Sequence, residues 1–113
     1  MKDGQGYIDE EGDKVWIVNG EYHRTDGPAI EFKDGYKAWY LFGNCHREGG
    51  PAVEGPTGRK MWHIHGKRHR EDGPAIEWEG GKKEWYYYNH EAKNEKQFYD
   101  PDWRRYIELK VFI

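Results

Sequence analysis

Serine is absent from these 113 residues, and cysteine occurs once, as Cys45. Without serine there is no Gly-x-Ser-x-Gly elbow and no serine triad. A single cysteine builds no internal disulfide framework and fits a reducing compartment. Cys45 adjoins His46, but neighbours on a strand point to opposite faces, which works against a thiol–imidazole dyad. No phosphate-cradling loop is present. No apolar stretch approaches the roughly 18 residues of a membrane span, and the Met1-Lys2-Asp3-Gly4 start does not read as a signal peptide. A strong charge of one sign is missing too: 18 Lys and Arg stand against 21 Asp and Glu, a net −3. Bulk attraction to nucleic acid or to an anionic membrane is not expected from that balance. These absences predict a cytoplasmic, non-enzymatic chain with no cofactor.

What is present is aromatic. Charged residues make up 35% and mean hydropathy is −1.22, yet aromatics reach 17%, with 6 Trp and 9 Tyr. Apolar burial must then rest on a few large rings, which suits a thin sheet better than a thick sandwich. The rings are also periodic. Trp16, Trp39, Trp62 and Trp85 recur every 23 residues. In the same register stand His23-Arg24, His46-Arg47 and His69-Arg70, then Gly27-Pro28-Ala29, Gly50-Pro51-Ala52 and Gly73-Pro74-Ala75. A fixed period of this length marks stacked supersecondary units, none able to bury a core alone.

Each unit reads as a β-hairpin. Asp34-Gly35 between β-prone runs signals a two-residue turn, with Glu11-Gly12, Thr57-Gly58 and Gly80-Gly81 as equivalents. That turn sets Ile30 opposite Trp39, and likewise Tyr7 opposite Trp16, Val53 opposite Trp62 and Ile76 opposite Trp85. One face then carries the tryptophans with Val18, Leu41, Ile64 and Tyr87 as core. The other carries Glu31, Glu54 and Glu77 beside Ile17, Tyr40, His63 and Tyr86, solvated as in an antiparallel sheet wetted on one side. The expected fold is mainly all-β: an elongated antiparallel meander of four hairpins near 6–19, 28–42, 51–65 and 74–88. Long links holding the His-Arg pairs join them within an array spanning 1–90. Residues 91–113 form a C-terminal helical cap and apolar tail. Asn94 with Gln97 is a capping box, Asp100-Pro101 a second helix start, and Trp103, Tyr106 and Ile107 share one helical face. The tail Leu109–Ile113 is apolar enough to need cover from the sheet, an added strand or a second copy.

The run from Trp62 through Gly66-Lys67-Arg68-His69-Arg70-Glu71-Asp72-Gly73-Pro74-Ala75 to Trp78 resembles the His-Arg-x-Asp-Gly-Pro-Ala repeats of small bacteriophage and prophage proteins. Those are similar to MORN repeats of 23 residues. The resemblance covers residues 6–90; Gly49 departs from it where Asp26 and Asp72 stand. It implies stacked hairpins that bind other molecules without catalysis. A phage setting implies the cytoplasm of an infected bacterial host, and a host protein as partner, such as a CRISPR or other immune complex.

Three repeated surfaces are candidates: the outer sheet face, the turn edge with Asp34-Gly35 and the link edge with the His-Arg pairs. The outer aromatic row, Tyr40, Phe42, His63, His65, Tyr86 and Tyr88, has the chemistry of a protein interface, and equally of a homodimer or of internal packing. Stacked single-stranded nucleic acid fits it less well, since glutamates on that face repel phosphate. The ladder His23, Arg24, His46, Arg47, His69 and Arg70 has donors for phosphate or carboxylate. The same residues also suit bonding to the carbonyls of their own links while packing on tryptophan or proline. His63 and His65 share a strand face as zinc ligands can, but no second pair at ligand spacing accompanies them, so no metal is expected. The expected function is a non-catalytic protein-binding module that blocks a host protein. The alternatives are a sponge holding a small nucleotide messenger on the ladder, and a structural or assembly protein.

Overall fold

A computed structural model describes residues 4–113. The signal-peptide reading of the first residues therefore falls mainly outside the described ones. The chain is mostly β: an eight-stranded antiparallel meander carries two residues from each strand, in the order Tyr7–Ile8, Lys14–Val15, Ile30–Glu31, Lys37–Ala38, Val53–Glu54, Lys60–Met61, Ile76–Glu77 and Lys83–Glu84. Extents of 45 × 36 × 20 Å make it a slab. Its 15.5 Å radius of gyration exceeds the ~13 Å of a compact domain this long.

The turns are three residues long, not two. Phe32 N–H donates to Tyr36 C=O at 2.8 Å, leaving Lys33-Asp34-Gly35 as the loop, and Gly35 takes a φ of 100°. Trp78 pairs with Lys82 in the same way. This is a type I turn closed by a left-handed glycine. The extra residue slips the register by one, so Ile30 faces Ala38 and Ile76 faces Glu84 instead of tryptophan. Because side chains alternate, one step moves a whole row to the other face.

The two faces are therefore composed differently from the sequence expectation. Val15, Ile30 and Ala38 are buried together, with Ile17, Tyr40 and Val53 packed on them. Farther along, Ala75, Ile76 and Tyr86 pack with Met61 and Trp78. The row expected outside is thus part of the interior. The glutamates move to the tryptophan face and meet lysines in turn: Lys14, Glu31, Lys37, Glu54, Lys60, Glu77 and Lys83 pair successively across the sheet. Opposite charges therefore alternate across the ladder, while the ion pairs that Glu31, Glu54 and Glu77 close within 4 Å are to Arg24, Arg47 and Arg70.

The links are hairpins as well. Ile17–Val18 pairs with Glu21–Tyr22, Tyr40–Leu41 with Asn44–Cys45, His63–Ile64 with Lys67–Arg68, and Tyr86–Tyr87 with His90–Glu91. Each is closed by two residues at positive φ: Asn19-Gly20, Phe42-Gly43, His65-Gly66 and Tyr88-Asn89. That is a type I′ turn, for which Asn19-Gly20 is a strong sequence signal.

The C-terminal residues are helical. Helix α1, Glu95–Phe98, starts where the Asn94 side chain accepts the Gln97 N–H at 2.8 Å. Helix α2, Pro101–Phe112, starts at Asp100, whose carboxylate accepts the Asp102 N–H at 2.9 Å. Phe98 and Ile107 are sealed against Tyr87 and Ala92, with Trp85, Trp103 and Val111 around them. Tyr106 is exposed rather than sharing that face, and the end stays helical through Phe112 with Leu109, Phe112 and Ile113 exposed.

Candidate functional site: the tryptophan face

Each repeated tryptophan is a backbone junction. Trp39 N–H donates to Ala52 C=O at 2.7 Å, and its C=O accepts the His46 N–H at 2.9 Å. Trp16 and Trp62 do the same with Ala29 and His23, and with Ala75 and His69. The main sheet and the second hairpins meet at these residues. Ala29, Ala52 and Ala75 are wholly buried there, which leaves no space for a larger side chain.

The His-Arg and Gly-Pro-Ala columns form one device. The guanidinium carbons of Arg24, Arg47 and Arg70 stand 3.7, 3.9 and 3.8 Å over the rings of Trp16, Trp39 and Trp62. Nη1 of each donates to the carbonyl of Pro28, Pro51 or Pro74 at 3.0–3.1 Å and reaches Glu31, Glu54 or Glu77. A methyl group added to Gly27, Gly50 or Gly73 would fall 2.8, 3.1 or 2.7 Å from the same guanidinium carbon, so glycine makes room for the arginine. The histidines join consecutive units. Nδ1 of His23, His46 and His69 accepts the N–H of Phe42, His65 and Tyr88 at 3.0, 2.8 and 3.0 Å. The paired rings also lie against each other at 4.4, 4.4 and 3.7 Å. Left-handed backbone is uncommon for such bulky residues, and the histidine ladder is what holds it there.

Burial, with His65 beside it, keeps His46 below its usual pKa, while Glu48 pulls the other way. Burial lowers His69 as well, against its bond to the Glu71 carboxylate. His63 is lowered by burial and by Arg68. Neutral imidazole is the form the ladder needs, because its Nδ1 must accept.

Of the outer aromatic candidates, Phe42 and His65 are exposed, at turn tips. Tyr88 lies between His69 and the edge of Phe112. Tyr40 is half-buried in the core, and Tyr86 is buried with its hydroxyl near Glu84 and Arg68. His63 and His65 do not converge: one lies on the core face and the other in a turn. No group of three His, Cys, Asp or Glu side chains among the described residues is placed to hold a metal. Burial pushes the Cys45 thiol up to about 11, far from a reactive thiolate.

The open surface lies where sequence reasoning placed core. At the N-terminal end Gly6 presses its backbone on Trp16, where an added methyl would fall 2.5 Å from the ring, and Trp16 is buried. At the other end α2 covers Trp85 and Tyr87. Between them Trp39 and Leu41 floor a groove of about 580 Å³, and Trp62 and Ile64 floor one of about 750 Å³. Arg47 and Glu48 line both, so the two grooves lie side by side along one trough with these residues between them. Its rim is acidic toward solvent. Asp26 and Asp72 are 78% and 88% exposed, while the arginines beside them are flattened on tryptophan at 19% and 24%. The signal for this trough was the breakdown of the repeat at its ends, with Gly4-Gln5-Gly6 before the first tryptophan and Ala92 in place of a histidine after the last.

Comparison of the chain with protein-family models, with curated proteins and with solved structures gives no match. No helix among the described residues is long and apolar enough to cross a membrane.

Proposed function

We propose that this is a non-catalytic binding module whose inner units occupy a surface of another protein. The observation that carries the reading is the trough of half-buried Trp39, Leu41, Trp62 and Ile64, whereas Trp16 at one end of the array and Tyr87 at the other are buried. Partly open apolar surface with a charged rim is the anatomy of a protein-binding site. The nucleotide-sponge reading is weaker, since Nη1 of each ladder arginine already serves a proline carbonyl and a glutamate. The resemblance to phage repeats makes a bacterial host protein, an immune complex included, the partner to look for.

The test is a tagged bait in host lysate, wild type beside the double variant Leu41→Glu, Ile64→Glu. Capture of one stoichiometric protein by wild type and its loss in the variant, with thermal melting preserved, is the expected result. Equal capture by both proteins would remove the trough from the function. A nucleotide released from purified wild type, with no protein captured, would favour the sponge.

A further inference from the structure

Resting on that reading, we infer that the trough is a seat for an amphipathic α-helix carrying arginine or lysine, supplied by the partner. The ground is the repeat itself. Helix α2 already occupies the last copy of this seat: Ile107 is buried there, Trp103 lies 6.3 Å from the Tyr87 ring, and Val111 packs alongside. Arg104 spans the seat, its guanidinium 4.8 Å over Tyr87 and Nη2 donating to the Glu71 carbonyl at 2.7 Å. Its Nη1 is 4.0 Å from the Glu71 carboxylate.

A shift of 23 residues turns Trp85, Tyr87 and Glu71 into Trp62, Ile64 and Glu48. These three line the larger groove together. The upstream seat therefore repeats the tryptophan, the apolar second residue and the rim acid, with the Arg70 guanidinium lying 3.8 Å over the Trp62 ring. It differs in having His69 and Arg70 where the last unit has Ala92 and Lys93, and buried Ala75 where the last unit has Phe98. Those larger side chains make the seat shallower, so a helix there leans more on the rim carboxylates Glu48 and Asp72. Apolar positions four residues apart, as in Trp103, Ile107 and Val111, with a cation beside the first, are the chemistry that fits.

The probe is a labelled peptide of residues 100–113, acetylated at its start and titrated against the full chain by fluorescence anisotropy. Expected are one-to-one binding that weakens with added salt, and a loss of about tenfold or more for Ile64→Glu and for Glu48→Lys, the scale of one charged contact. No binding at millimolar peptide overturns the helix seat. So does binding untouched by both substitutions, which would mean that the peptide displaces α2 from its own place. A dimer in light scattering that Ile64→Glu dissolves would give the trough to a second copy and overturn a partner helix. The lysate experiment separates the two readings: a partner lost with the double variant, alongside an unbound peptide, keeps the trough and rejects the helix.

Discussion

A histidine of this ladder serves its neighbour more than itself. His46 supplies an acceptor to the His65 N–H and a ring that holds His65 at a φ of 48°. His46→Ala removes both, and a stranded backbone donor costs about 1–3 kcal/mol. The expected outcome is a loss of about 2–3 kcal/mol in urea unfolding, with the slope unchanged; a loss below about 0.5 kcal/mol would mean that the turn holds itself. The same chemistry sets a pH dependence. His46, His63 and His69 are all held below their ordinary 6.5, so the folded state resists protons that the unfolded chain accepts. Stability is full above about pH 6.5 and falls as pH drops below it through the lowered folded values. Melting temperatures between pH 8 and pH 5 check this: a flat or rising profile toward acid contradicts it. The Glu71 carboxylate beside His69 reduces the effect at that site without reversing its sign.

At the level of elements the cap is the most exposed to single changes. Ile107 is 1% exposed, and Ile107→Ala should cost about 2–5 kcal/mol and loosen α2, read by the near-ultraviolet signal of Trp103. Leu109→Glu, on the exposed side, should stay within about 0.5 kcal/mol of wild type. Both helix starts were legible from Asn94, Gln97, Asp100 and Pro101, because capping is local chemistry written in adjacent residues. The meander was legible from the tryptophan period for the same reason. The register was not. A Gly at the end of a turn fits either a two-residue or a three-residue loop, and the choice, invisible in Lys33-Asp34-Gly35, flips one strand of each hairpin relative to the other. That one residue carried Tyr40 and Tyr86 inward and the glutamates onto the tryptophan face. The second hairpins were hidden by Phe42, His65 and Tyr88, residues that do not favour left-handed backbone alone and adopt it only against a histidine one unit back.

Across the whole molecule, backbone pairing passes from each unit to the next, with the Tyr36 hydroxyl donating to the Glu79 carboxylate two units on, so a unit can be removed with little else disturbed. Excising residues 39–61 joins Ala38 to Trp62, the equivalent of the original junction with Trp39. The shortened chain should fold with six strands in its main sheet, cooperatively but with lower stability, as nearest-neighbour arrays do. Circular dichroism with a sigmoidal melt would bear this out, and a molten, non-cooperative product would show the four units to be inseparable. The inward engagement of the repeated motif also has a consequence for variation. Trp, His, Arg, Gly, Pro and Ala hold one another, whereas position 41 and its equivalent 64, and position 25 and its equivalent 48, face the trough or its rim. The frame behaves as fixed type, and those columns as interchangeable letters. New specificities can be written two residues per unit, and a longer message needs only more units between the same two ends.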